Sequence, residues 1–91
     1  MEKIWMVSQE SNVDGEILFN VVPCATKEVA QRVFESSKKE IMSEGHFSKL
    51  SDDDIKEYCF INEDENRFFI NDETDDYYED LFMYEEDVLN F

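Results

Sequence analysis

The chain has 91 residues, 24 Asp and Glu against eight Lys and Arg, and a formal charge of −16. That length allows one small domain with a single modest core and excludes two, while eight Phe, four Tyr and one Trp are too many large apolar side chains for a segment that stays unfolded for want of burial. The charge argues against direct contact with nucleic acid or an anionic membrane, since both repel it.

In chain order, Ile4-Trp5-Met6-Val7 reads as a short strand. Asn12-Val13-Asp14-Gly15 supplies turn residues, and Glu16 to Val22 is a second strand rich in strand formers. The pair predicts a hairpin with a longish loop, ended by Pro23. Thr26 is a candidate N-cap for a helix in which Ala30, Val33, Phe34 and Ile41 recur at helical spacing until Gly45. Its remaining face mixes Lys27, Arg32, Lys38 and Lys39 with Glu35 and Glu40, as on an amphipathic helix covering a sheet. Ser51 then caps a short helix through about Glu57, with acids in its first turn. Tyr58-Cys59-Phe60-Ile61 and Arg67-Phe68-Phe69-Ile70 flank Asn62-Glu63-Asp64-Glu65-Asn66, a second hairpin with an acidic tip.

The closing segment sets two periods against each other. As a strand, Tyr77 to Tyr84 alternates badly because Glu79 and Asp80 fall on opposite faces; as a helix over 75–89, Tyr77, Tyr78, Leu81, Phe82, Tyr84, Val88 and Leu89 form one stripe. Thr74 can cap that helix, and Asp75 and Asp76 suit its first turn, whereas Glu85, Glu86 and Asp87 oppose the dipole at its far end. The spacing predicts a helix, with a short strand at Leu81 to Tyr84 as the alternative. The expected fold class is α+β: one ββαββα domain whose antiparallel sheet is covered on one face by helices.

Chemistry-bearing patterns are sparse. His46 is the only histidine, follows Gly45, and has no acid or nucleophile at a recognised spacing, so it reads as a solvated loop residue. With only Gly15 and Gly45 there is no phosphate-cradling loop, and two Cys with one His cannot complete a structural zinc set. A run from Asn62 through Asp64, Asn66 and Phe68 to Glu73 partly matches a calcium loop, but Arg67 occupies the place of its obligatory glycine. Cys24 and Cys59 read as two buried free thiols of a reducing compartment. No enzyme activity, metal or cofactor is expected, and the lack of a secretory leader or a long apolar run points to the cytoplasm.

The charge is lopsided. Residues 1–50 hold eight acids and six bases, a net of −2; residues 51–91 hold sixteen acids against Lys56 and Arg67, a net of −14. An acidic protein ordinarily intersperses Lys with Glu to gain about 0.2–0.5 kcal/mol per helical pair, so withholding bases from one half implies a partner that supplies them. The expected partner-binding residues are Glu63, Asp64, Glu65, Asp72, Glu73, Asp75, Asp76, Glu79, Asp80, Glu86 and Asp87. On a helix, Asp76, Asp80, Met83 and Asp87 run along one line, and Asp75, Glu79 and Glu86 along its neighbour, giving a ladder of carboxylates that faces a basic groove built for phosphates. A charge run held only for solubility is the plainer alternative.

In size, charge and the setting of aromatics among acids, as in Asp75-Asp76-Tyr77-Tyr78-Glu79-Asp80-Leu81-Phe82, the chain resembles the small acidic proteins by which phages block nucleic-acid-binding defence enzymes, the anti-restriction and anti-CRISPR nucleic-acid mimics. The resemblance covers the second half and rests on charge pattern. It implies a stoichiometric inhibitor of a protein with a basic nucleic-acid-binding surface. Two other readings stay open: an assembly module forming a homodimer through aromatics such as Phe68, Tyr78, Phe82 or Phe91, and an acidic segment over 71–91 that orders only when bound.

Overall fold

A computed structural model describes residues 3–73 and 76–87. Strands β1 (Lys3–Val13) and β2 (Glu16–Cys24) are followed by helices α1 (Lys27–Ser43) and α2 (Asp52–Tyr58), with a single 3₁₀ turn at Phe47–Lys49 between them. Three strands follow among the described residues: β3 (Cys59–Glu63), β4 (Arg67–Asp72) and β5 (Tyr77–Asp87). All strand pairs are antiparallel, in the order β2-β1-β5-β4-β3. The architecture is a small α+β domain, and its element order is ββααβββ rather than ββαββα.

The first hairpin is longer and tighter than its sequence suggests. Asp14 (φ 54°) and Gly15 (φ 88°) are both left-handed, the two-residue turn whose twist matches the flanking strands. Asn12 Oδ1 accepts from the Gly15 N–H at 2.9 Å. Pro23 does not end β2. It pairs with Met6 inside the strand, which is tolerated because β2 is an edge strand and its outer side needs no donor.

The caps predicted for α1 and α2 are present; Thr74, the cap predicted for a closing helix, lies outside the described residues. Thr26 Oγ1 accepts from the Val29 N–H at 3.2 Å, and Ser51 Oγ from the Asp54 N–H at 3.1 Å. The β3–β4 hairpin also stands where its pattern puts it, its tip closed by Asp64 N–H donating to the Arg67 carbonyl at 2.9 Å.

The closing segment is a strand, which overturns the predicted helix over 75–89; Asp75, Val88 and Leu89 lie outside the described residues. β5 inserts in the middle of the sheet, pairing along its whole length with β1 and over Tyr77–Phe82 with β4. In the middle of the sheet this segment supplies partners to the facing edges of β1 and β4 and buries Leu81 and Met83, a far greater gain than the few tenths of a kcal/mol by which acids in a first helical turn favour a helix. Leu81 and Met83 point to the same side as Val7 and Phe68 and join Ile70, Cys24, Ala30, Phe34, Ile41 and Phe47 in the core between the sheet and α1.

Candidate functional site

Strand geometry distributes the predicted partner-binding acids differently from a helix. Neighbours along a strand face opposite ways, so Glu79 points to the α1 side and Asp80 to the open side. The carboxylate ladder along one face is therefore absent: Asp80 does not share a side with Met83 and Asp87, Glu79 does not share one with Glu86, and Asp76 lies in the turn before β5. The acids gather instead at the two ends of the sheet. Asp64 and Glu65, in the β3–β4 turn, stand beside the last residues of β5, because the Met83 N–H donates to the Asn66 carbonyl at 2.8 Å. Glu85, Glu86 and Asp87 follow, with Lys3 at 3.1 Å from Glu85 and 3.9 Å from Asp87. At the opposite end are Glu73 and Asp76, both exposed, near the Asp14-Gly15 turn. Asp75 lies outside the described residues.

Several of these acids are engaged within the protein. Glu63 is ion-paired with Lys38. Asp80 accepts from Arg67 Nε at 3.2 Å. Glu79 accepts from the hydroxyl of Ser11, which faces it on β1, and at 2.8 Å from Nε2 of its diagonal neighbour Gln9. Asp72 is 4 % exposed and lies 2.7 Å from His46 Nε2, so it contributes no exposed charge. His46 is correspondingly not a solvated loop residue: its ring stacks on Tyr77 with centroids 3.8 Å apart and planes within 5°.

The face of the sheet away from α1 is a surface of which the sequence reading named only Tyr78, Asp80 and Phe82 as contact residues, without bringing them together. Cross-strand partners share a side, and the register puts Ile17 and Phe19 (β2), Met6 and Glu10 (β1), Tyr78, Asp80, Phe82 and Tyr84 (β5), Arg67 and Phe69 (β4) and Phe60 (β3) together there. Phe19 is 66 % exposed, Phe60 55 % and Ile17 52 %. The Phe60, Phe69 and Tyr78 rings form a series with centroids 6.3 and 6.1 Å apart, within the range of favourable ring contacts. The Tyr78 hydroxyl donates to Glu10 at 2.9 Å; that hydrogen bond, followed by desolvation, raises its pKa above the usual phenol value. A signal for this surface does exist in the sequence. The doublets Phe68-Phe69 and Tyr77-Tyr78 place one ring on each side of a strand.

Sites for small ligands are weaker. A cleft of about 290 Å³ is bordered by Asn12, Ile41, Glu44, His46, Tyr77 and Glu79, at the lower limit of the roughly 300–1,000 Å³ typical of ligand pockets. Among the described residues no three His, Cys, Asp or Glu side chains converge as a metal set. The calcium-like run is drawn out along a hairpin, where Asn62 pairs with Phe69 and no loop encloses an ion. Cys24 and Cys59 are free and sit on opposite edge strands, at least four strand spacings or about 19 Å apart, beyond disulfide reach. Burial, with smaller contributions from Asp72, Glu73 and Asp54, pushes the Cys59 thiol pKa up, which makes it a poor nucleophile. Among the described residues no helix is long and apolar enough to cross a membrane.

No protein-family model matches the chain, and comparison with curated proteins and with solved structures gives no match.

Proposed function

We propose that this is a non-enzymatic binding protein whose carboxylates dock on the basic nucleic-acid-binding groove of another protein and block it, in the manner of the anti-restriction and anti-CRISPR mimics that its sequence resembles. The observation that carries this reading is the placing of exposed acids at both ends of one rigid sheet: Asp64, Glu65 and Glu86 at one, Glu73 and Asp76 at the other. Along β5 Glu86 stands about ten steps of 3.4 Å, or roughly 34 Å, from Asp76, while Asp64 and Glu65 stand beside Met83, about 20 Å from Tyr77. A duplex repeats each helical turn over about 34–36 Å, so a groove that holds phosphates one turn apart would meet Glu86 at one position and Asp76 at the other, with Asp64 and Glu65 between. The test is capture from a lysate on the immobilised protein with graded salt elution. Basic nucleic-acid-binding proteins that elute as salt rises and are displaced by added DNA or RNA are the expected result; recovery of none at low salt would overturn the reading.

A second reading, a homodimer, is favoured by β2. Residues 17–26 carry no charge, and Ile17, Leu18 and Phe19 are exposed on this free edge, the kind of strand that pairs with another chain unless charge protects it. Phe68, a candidate for such an interface, is 3 % exposed and belongs to the core; Phe91 lies outside the described residues. Edge pairing predicts a dimer that persists at high salt in sedimentation, and a strict monomer would remove it.

A further inference from the structure

We infer that the open face of the sheet is an arginine-docking surface, where side chains of an arginine-rich segment of the partner protein stack on the exposed rings while the acidic ends hold its remaining charge. The inference rests on the reading of a basic partner and says where, and by which side chain, that partner is gripped.

The protein already holds one arginine in this way. The Arg67 guanidinium lies 4.9 Å from the Phe82 ring centroid and 5.4 Å from that of Phe69, with Asp80 bonding its Nε at 3.2 Å. Both distances fall inside the roughly 6 Å range over which a cation is drawn to a ring face. Phe69 is the middle ring of a series that continues on both sides of it, to Phe60 on β3 and to Tyr78 on β5, where the Glu10 carboxylate accepts from the Tyr78 hydroxyl. Among the described strand residues Arg67 is the one cation on this face, and Phe60 is mostly exposed. Further guanidinium groups would find the exposed Phe60 ring on one side of Arg67 and, on the other, the Tyr78 ring with the Glu10 carboxylate at its hydroxyl.

Charge chooses among occupants. A nucleic acid or an anionic bilayer would face the repulsion of a −16 chain, and a second copy would bring the same carboxylates against each other. Arginine fits better than lysine because its guanidinium is planar, weakly hydrated and stacks on aromatic faces, whereas the lysine ammonium is a compact, strongly hydrated charge.

The test measures binding of labelled oligo-arginine and oligo-lysine peptides of equal length to the full chain and to a Phe60→Ala/Phe69→Ala variant, which leaves every charge in place. The wild type is expected to prefer oligo-arginine, and the variant to lose about fivefold to tenfold in affinity for it, the scale of one or two ring contacts, while oligo-lysine changes less than twofold. Phe60→Ala alone, at an exposed edge position, gives a smaller loss of the same kind should the double variant fold poorly. If the wild type binds both peptides equally and the ring variants change neither, the docking surface is wrong and the basic-partner reading stands. Binding of neither peptide overturns both. A dimer or a nucleic-acid complex that the ring variants abolish would give the face to a different occupant and overturn the inference.

Discussion

Leu81→Ala is expected to cost about 2–5 kcal/mol of folding stability, the range for emptying a fully buried leucine site, while Phe82→Ala, one residue along, costs about 1 kcal/mol or less. Leu81 is 0 % exposed and Phe82 38 %, because they project from opposite faces of the central strand. Domains of this size are stable by only about 5–14 kcal/mol, so the first change takes a large part of the total and lowers the melting temperature by ten degrees or more. The contrast tests the strand itself. On a helical stripe both side chains would turn inward, and their truncations would cost alike. Equal losses in chemical denaturation at the two positions would therefore contradict the central place of β5.

The same residues explain what the sequence made legible and what it hid. Thr26, Ser51 and the spacing of Ala30, Phe34 and Ile41 are local signals, and the helices they mark form where expected. The β3–β4 hairpin is equally local. β5 was hidden because a half-buried strand announces itself by alternating apolar and polar residues, and this one has rings on both faces. Tyr78, Phe82 and Tyr84 line the open side, and Glu79 intrudes on the covered side, satisfied by Gln9 and Ser11. Those partners lie 70 and 68 positions away, so no window along the chain includes them. His46 and Asp72 have the same history: 26 residues separate them, and only the fold joins a loop histidine to a buried carboxylate. The lopsided charge was plain in the sequence, but its shape was not, since 3.6-residue and two-residue periods send the same acids to different sides.

Neutralising one acidic end should separate function from stability. An Asp64→Asn/Glu65→Gln/Glu86→Gln variant removes three exposed carboxylates, each of which contributes about 0.2–1 kcal/mol to a solvent-exposed ion pair. Affinity for a basic partner or an oligo-lysine peptide should fall by about 0.6–3 kcal/mol, from threefold to roughly a hundredfold. The salt dependence of binding should flatten as well, because fewer neutralising ions are shed on contact. Stability should hold or rise, since the change relieves repulsion within a chain of −16. The far end, Glu73→Gln/Asp76→Asn, lies well beyond the Debye length of about 8–10 Å. Its effect should add to the first in free energy when one rigid partner spans both ends, and should vanish when the partner grips only the Glu86 end. Isothermal titration of the two variants and their combination at two salt concentrations decides between these outcomes. Unchanged affinity in the combined variant would mean that the acids serve only to keep the protein in solution.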